Sequence, residues 1–306
     1  MEETKFAYFQ GKIVPIGEAK IGILTHALNY GTAVFGGLRA YWNEGKKQLY
    51  LFRPHDHYRR FLHSARLLLM DFKHDPESLT LLTIELLRKE GFRCNTYIRP
   101  LAYKSDEIIG VKLHDLKAEI SIATVPNLVY SSHDTDAHVT FSSWRRLDDN
   151  TIPARGKISG AYASSALIKT DAVRAGFDEA LVLNQDGHVS EASAMNIFMV
   201  RDNVLITPPI TDNILEGITR RSVIELARKE LGVDVLERSI DRTEIYVCDE
   251  LFLAGTAAQI MAVTKVDHRL VGIGVMGPIT TRLREVFLKA VVGDLRDYEK
   301  WVTPVY

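Results

Sequence analysis

The 306-residue chain has little cysteine, no excess of charge and no long apolar run. Its two cysteines, Cys94 and Cys248, lack the Cys-x-x-Cys spacing of zinc and redox motifs, and predict reduced core thiols. The net charge of −1, with both signs interleaved, provides no basic stripe for nucleic acid. No segment reaches the roughly 18 apolar residues of a membrane span, and the acidic first residues do not resemble a signal peptide. We therefore expect a cytoplasmic protein that binds neither nucleic acid nor membrane.

What is present is the composition of a globular protein, 46% hydrophobic and 25% charged. Predicted strands come in groups instead of alternating strictly with helices, which favours an α+β fold over a doubly wound parallel sheet. A polar stretch around residues 126–138 interrupts the pattern. We predict a small domain at 1–127, a linker at 128–136 and a large domain at 137–306.

Local signals predict individual elements. Asp75, Pro76 and Gly91 are typical of the cap, first turn and end of a helix between them. A second helix should start at Pro54 and extend through an apolar series that ends at Leu69. Within the predicted strand "NTYIRPLAY", Pro100 indicates a sheet edge or a bulge, since proline has no N–H to donate.

Two motifs have a simpler interpretation than the function they suggest. "GIGVMG", residues 272–277, matches the dinucleotide-binding glycine pattern, but the chain ends too soon for the required second strand. His55, His57 and His63 could suggest a metal site. Residues two apart on a helix point about 200° apart, so a solvated helix face is the better interpretation and no metal is expected.

Two segments favour phosphate binding. In "NILEGITRRS", Gly217 opens a helix, and Ile218 and Thr219 provide N–H groups at its positive end. "LFLAGTAAQ" ends a strand with small residues and the hydroxyl of Thr256. With Arg60 from an earlier helix, these groups could bind one phosphate from three directions.

Lys157 lies in "NTIPARGKISGAYASS", where small residues let backbones approach closely. Glu191, in "GHVSEASAMNIF", lies among small residues ahead of an apolar strand and needs a cationic or N–H partner, since a buried unpaired carboxylate costs several kcal/mol. A lysine amine, a carboxylate and a phosphate cradle are the groups that bind pyridoxal phosphate.

These motifs, in this order and spacing, resemble the class IV pyridoxal-phosphate aminotransferases. "SSWRRLDDNTIPARGK" and "YIRPL" are specifically similar to branched-chain amino-acid aminotransferases, and "NYGTAVFGGLRAY" and "GPIT" extend the resemblance from about Tyr30 to the C-terminus. The resemblance implies a fold type IV enzyme, with a small α/β domain, a larger pseudo-barrel domain and the cofactor between them. It also implies a homodimer or higher homo-oligomer that transfers the amino group of leucine, isoleucine or valine to 2-oxoglutarate.

The resemblance also implies roles for single residues. Lys157 is the Schiff-base lysine and proton shuttle, Glu191 pairs with the pyridine nitrogen, and Tyr162 with the cofactor's phenolic oxygen. Leu215 packs on the ring, and the phosphate is bound near Gly217 by Arg60, Ile218, Thr219 and Thr256. The residues expected to line the substrate pocket are Tyr30, Phe35, Gly37, Tyr97, Arg99 and Ala257.

Two segments depart from the family pattern. "GTAA" continues as "QIMAV" where relatives commonly have Glu-Ile/Val-Thr-Pro, and the linker lacks the usual Trp and Tyr. Both segments are expected to border the substrate pocket. They leave open a D-amino-acid or (R)-amine transaminase and, as a further alternative, 4-amino-4-deoxychorismate lyase.

Overall fold

The computed structural model describes residues 3–128 and 135–306. Contacts between Cα atoms group the chain into two compact units. The first comprises Met1–Leu128, Gly156–Ala161 and Lys289–Tyr306, and the second Val129–Arg155 and Tyr162–Leu288. Six of the nine residues of the predicted linker, 129–134, lie outside the described residues. The contiguous domain boundaries therefore remain a prediction, although 156–161 and 289–306 group with the N-terminal part.

The first unit is built on an antiparallel sheet in the order β17-β5-β4-β6-β7-β1-β2, with β3 also paired to β6. Its strands are β1 (Phe6–Phe9), β2 (Lys12–Pro15), β3 (Ala33–Phe35), β4 (Leu38–Asn43), β5 (Gln48–Phe52), β6 (Thr96–Lys104), β7 (Ala118–Pro126) and β17 (Val302–Pro304). Its helices are α1 (His26–Tyr30), α2 (Pro54–Leu67) and α3 (Pro76–Glu90).

Helix α3 forms as its sequence predicts. The Asp75 carboxylate accepts from the Ser78 N–H at 2.8 Å, Pro76 occupies the first turn, and Gly91 ends the helix with φ of 73°. Helix α2 begins at Pro54 but ends at Leu67, so the prediction that it reaches Leu69 is wrong. Leu69 takes a left-handed φ of 51° and is exposed.

Pro100 lies in a central strand, so its assignment to a sheet edge is wrong. Strand β6 pairs with β4 through residues 96–98 and with β3 through residues 101–103. Pro100 lies at the interruption between β3 and β4, where its carbonyl accepts from the Gly36 N–H at 2.8 Å. The missing N–H therefore falls where no ladder bond is required.

The second unit contains a mixed sheet in the order β10-β9-β8-β15-β14-β11-β12-β13, with β16 paired to β15. Its strands are β8 (Ala137–Arg145), β9 (Glu179–Leu183), β10 (Val189–Ala192), β11 (Asn196–Arg201), β12 (Val204–Thr207), β13 (Val235–Glu237), β14 (Glu250–Gly255), β15 (Gln259–Val266) and β16 (Arg269–Leu270). Its helices are α4 (Tyr162–Arg174), α5 (Ile218–Glu230) and α6 (Pro278–Val291). The last three residues of α6, from Lys289, belong to the first unit.

The core of the second unit lies against this sheet and includes Cys248, 3% exposed, whose burial raises the pKa of its thiol to about 12. Cys94 is half-buried, and no disulfide joins the two cysteines within the described residues. His57 is 2% exposed, so its assignment to a solvated face is wrong, whereas His55 is exposed beside Glu77. No helix within residues 3–128 and 135–306 is long and apolar enough to cross a membrane.

Candidate active site

The residues assigned from sequence to an active site fall into two groups, one in each unit. Lys157 belongs to the first. Its N–H donates to the Ser64 hydroxyl at 3.1 Å, and its carbonyl accepts from the Phe35 N–H at 3.0 Å. Its ammonium lies 4.8 Å from the centre of the Phe35 ring. Both the backbone and the amine of Lys157 are thus positioned by the structure around them.

Glycines allow this placement. The Gly160 N–H donates to the Gly31 carbonyl at 3.2 Å, and a Cβ added to Gly31 would lie 2.7 Å from the Gly160 Cα. Gly31 also has a left-handed φ of 66°. The small residues around Lys157 therefore allow two backbone segments to pass in direct contact, as the sequence predicts.

Ser64 is a positioning residue that the sequence did not reveal. It is 1% exposed on α2, accepts from the Lys157 N–H and donates to the Arg60 carbonyl at 2.9 Å. Arg60 itself is half-buried, whereas its neighbour Arg59 is exposed and pairs with Asp56. This difference favours Arg60 over Arg59 as the phosphate ligand.

Four of the residues assigned to the substrate pocket lie together. The Arg99 guanidinium stacks 4.7 Å from the centre of the Phe35 ring and donates to the Tyr97 hydroxyl at 3.1 Å. A Cβ on Gly37 would lie 2.4 Å from the same hydroxyl. Tyr97 and Arg99 share a face, as strand alternation predicts. Arg99 itself is exposed in this chain.

Tyr30 has different neighbours. Its hydroxyl accepts from the Gly110 N–H at 3.0 Å, while the His26 ring lies within hydrogen-bonding distance of the Gly110 carbonyl, 2.9 Å. The described contacts do not join Tyr30 to Phe35 or Arg99. Tyr30 is instead tied to the segment after β6, and its place in the substrate pocket remains a prediction.

The second group centres on Glu191, whose side chain is 4% exposed. One carboxylate oxygen lies 2.7 Å from the Arg146 guanidinium. The other accepts from the Asn196 amide at 3.0 Å and from the Leu215 N–H at 3.1 Å. The protein thus provides both the cation and the N–H groups that the sequence required.

Arg146 and Asn196 were not assigned roles from the sequence. Arg146 lies just beyond β8 and also donates to the Asn213 carbonyl at 3.0 Å, which fixes the guanidinium. Asn196 lies at the start of β11, close to Glu191 in sequence. Its spacing from Glu191 could have suggested contact, but the approach of Arg146 requires the β8–β9 pairing and could not have been predicted.

The start of α5 fits an anionic group. Gly217 is its N-cap and has no side chain to cap the first N–H groups, and Ile218 and Thr219 are the first helical residues. A Cβ on Gly217 would lie 2.0 Å from the Asn196 Oδ1, so this position requires glycine. An uncapped helix start with a threonine hydroxyl beside it fits a phosphate.

The remaining assigned residues lie at turns of the second unit. Tyr162 is half-buried at the first position of α4, and Thr256 and Ala257 are half-buried between β14 and β15. The neighbouring "QIMAV" segment continues into β15, where Ile260, Met261 and Ala262 are at most 3% exposed. These three residues pack in the sheet, and the expectation that the segment borders a substrate pocket remains a prediction.

Comparisons with known proteins agree with this architecture. A family model described as amino-transferase class IV matches residues 33–266. The chain is 48% identical over 301 residues to a probable branched-chain-amino-acid aminotransferase of Aquifex aeolicus (strain VF5), covering 98% of this chain and 97% of that protein.

Two solved structures are similar over nearly the whole chain. A branched-chain aminotransferase from Thermoproteus uzoniensis with norvaline has a TM-score of 0.95 at 40% identity, covering 99% of this chain and 100% of that one. A branched-chain amino acid aminotransferase from Thermobaculum terrenum in its PLP-form (holo-form) has a TM-score of 0.95 at 38% identity, with 100% of both chains covered. The predicted α+β fold is confirmed.

Proposed function

Since the chain belongs to the class IV aminotransferases, as its motifs predict, we propose that it transfers the amino group of branched-chain L-amino acids to 2-oxoglutarate. Pyridoxal phosphate is its cofactor, and the products are glutamate and branched-chain 2-oxo acids. The observation that carries the proposal is the cluster of Phe35, Tyr97 and Arg99, which combines apolar rings with a cation and so suits both an aliphatic and an acidic substrate.

Each residue assigned to the cofactor has a defined task in this proposal. Pyridoxal phosphate, when bound, supplies an electron-withdrawing ring that stabilises negative charge on the substrate's α-carbon. The Lys157 amine would hold the cofactor and, once displaced by the amino group of the substrate, would carry the proton that leaves the α-carbon. Glu191 holds a proton at the ring nitrogen. Arg146 supports it, because a buried carboxylate that loses its cation costs about 3–5 kcal/mol.

The remaining residues bind and orient. The phosphate is bound by the N–H groups of Ile218 and Thr219 at the start of α5, by the hydroxyls of Thr219 and Thr256, and by Arg60. Tyr162 donates to the phenolic oxygen, and Leu215 packs on the ring. The first turn of α5 is uncapped, so its N–H groups are not already bonded to a capping side chain.

Both substrates can be accommodated near Arg99. An aliphatic side chain packs on Phe35 and the Tyr97 ring, and leaves the guanidinium to the solvent it already faces. The distal carboxylate of glutamate or 2-oxoglutarate pairs with the same guanidinium. Alanine at position 257 leaves room beside the β14–β15 turn. Arg99 thus distinguishes the two half-reactions.

We also propose that the active protein is a cytoplasmic homodimer. Two segments of the first unit expose apolar side chains, at Ile23 (82% exposed) and Val111 (87% exposed), and the Tyr30–Gly110 hydrogen bond joins these segments. Their other exposed apolar residues are Ile21, Leu24, Leu28, Ile108 and Ile109. A second copy of the chain would cover this surface. The absence of a disulfide between Cys94 and Cys248 in the described residues fits a reducing compartment.

A donor screen tests the substrate assignment. Purified protein with pyridoxal phosphate and 2-oxoglutarate is offered L-leucine, L-valine, L-isoleucine, D-alanine, D-glutamate, (R)-1-phenylethylamine and, without acceptor, 4-amino-4-deoxychorismate. We expect glutamate to form with the three branched L-amino acids and at most slowly with the others. Preference for a D-amino acid or the (R)-amine, or pyruvate release from the chorismate derivative, would replace the proposed reaction with the corresponding alternative.

A further inference from the structure

Asn196 connects the two parts of the second unit that contact the cofactor in the proposed function. Its side-chain amide donates to the Glu191 carboxylate at 3.0 Å and to the Leu215 carbonyl at 2.9 Å. Its Oδ1 lies against Gly217, where an added Cβ would be 2.0 Å away. One side chain therefore contacts the carboxylate, the segment entering α5 and the N-cap of that helix.

This side chain is shielded from solvent, since Asn196 is 5% exposed and lies at the start of β11. Strand pairing fixes its backbone, because Asn196 is paired with Ala254 of β14. The Leu215 N–H also donates to Glu191, so Asn196, Glu191 and Leu215 form a closed set of three hydrogen bonds, with Gly217 packed against the amide. A displacement of either part would break bonds to the other.

We propose that Asn196 is a positioning residue that couples the carboxylate facing the ring nitrogen to the helix start facing the phosphate. The proposal rests on the proposed function. Its consequence is that a change at Asn196 alters both the electronic state of the bound ring and the contribution of the phosphate to affinity. Replacing a residue that only stabilised the fold would weaken binding of the whole cofactor. It would change neither the electronic state of the ring nor the contribution of the phosphate to affinity.

Asn43 offers a matched control. It is also buried, at 8% exposed, and its amide donates to a backbone carbonyl and a carboxylate, those of Val292 and Asp294, each at 2.9 Å. Asn43 belongs to the first unit, and its side-chain hydrogen bonds join it to residues 46, 292 and 294, none of which is assigned to the cofactor. Asn43→Asp and Asn196→Asp therefore make the same chemical change, and Asn196→Ala removes the amide without adding charge.

The experiment compares five full-length proteins freed of cofactor: wild type, Asn196→Asp, Asn196→Ala, Asn43→Asp and Glu191→Gln. Each is titrated with pyridoxal phosphate and with pyridoxal, which lacks the phosphate, and the ratio of the two dissociation constants measures the contribution of the phosphate. The pH dependence of the visible absorbance reports the state of the ring. Thermal unfolding of each protein records its stability.

The ratio is the dissociation constant of pyridoxal divided by that of pyridoxal phosphate. We expect both Asn196 variants to lower this ratio by about tenfold, which corresponds to the loss of one charge-assisted hydrogen bond. Both variants should also shift the pH at which the visible absorbance changes. Glu191→Gln should shift the absorbance alone, and Asn43→Asp should change neither. An Asn196 variant that changes one property only, or that behaves like Asn43→Asp, would overturn the coupling while leaving the proposed function intact. A wild type that binds neither compound would overturn both.

Discussion

Lys157 and Glu191 were predicted as a functional pair from their immediate sequence, because an isolated lysine among small residues and a buried acid each need an explanation. The structure explains the first by the contact of Gly31 with Gly160 and the second by Arg146. Of the residues that sequence reasoning missed, Ser64 and Arg146 lie far along the chain from their partners. Their roles depend on tertiary packing, which no local pattern encodes.

Arg99 carries the sharpest prediction at this scale. Arg99→Ala should leave the single-turnover rate with leucine nearly unchanged and reduce that with glutamate or 2-oxoglutarate roughly 10- to 150-fold, the worth of a charge-assisted pair. The reason is that only the acidic substrates have a distal carboxylate. Rapid mixing with each substrate, followed by the cofactor's visible absorbance, measures the two half-reactions separately.

Arg93→Ala is the matched control, since Arg93 is an exposed arginine just before the same strand. It should alter neither half-reaction. Equal losses for leucine and glutamate in Arg99→Ala would contradict the dual-substrate role. That result would instead favour a structural role for the contacts of Arg99 with Phe35 and Tyr97.

Among the elements, α3 and β6 show where sequence patterns succeed and fail. The cap of α3 was predicted correctly because Asp75, Ser78 and Gly91 act on their own helix. Pro100 was misassigned to an edge because its tolerance depends on Gly36 and on the gap between β3 and β4. Local interactions are readable from sequence, whereas the neighbours of a strand are not.

The short helical turn at Arg242–Tyr246 predicts a pH dependence of stability. A hydrogen bond from Arg238, supported by the Asp241 N–H, lowers the pKa of Glu244 to about 2. Because folding lowers this pKa, the ionised Glu244 carboxylate stabilises the folded protein fully above the ordinary pKa near 4.5. This stabilisation decreases as the pH falls towards 2. Allowing for solvent screening of this partly exposed pair, it contributes about 1–2 kcal/mol at pH 7.

Glu244→Gln tests this contribution. The difference in free energy of unfolding between wild type and variant, from urea titrations with pyridoxal phosphate present, should fall by about half between pH 7 and pH 3. Glu225→Gln removes an exposed pair with Lys229 and should cost only about 0.3–0.5 kcal/mol. A Glu244 difference that stays constant or grows towards pH 3 would contradict the assignment.

At the scale of the whole molecule, the fold class was predicted correctly from the grouping of strands, and the family from the order of motifs. The return of residues 156–161 and 289–306 to the first unit was not predicted. Strand β17 pairs with β5 across about 250 residues of chain, and Lys157 bonds to Phe35 through its backbone. Local composition does not predict such long-range pairings.

The proposed dimer is also tested at this scale. Ile23→Asp places a charge in the exposed apolar surface and should convert the dimer to a monomer, measured by light scattering during size-exclusion chromatography. Ile273→Asp changes an isoleucine of similar exposure, 86%, in the second unit and should leave the dimer intact. A dimer that persists in Ile23→Asp would place the contact elsewhere, and a monomeric wild type would overturn the proposed dimer.

The most direct test of the central claim is to identify the residue that bonds to the cofactor. Borohydride reduction of the protein with bound pyridoxal phosphate, followed by peptide mass mapping, should place the label on Lys157. Lys157→Ala should lose both the label and the visible band, whereas Lys169→Ala, which removes a lysine paired with Glu179, should keep them. A label on another lysine, or full labelling of Lys157→Ala, would contradict the account.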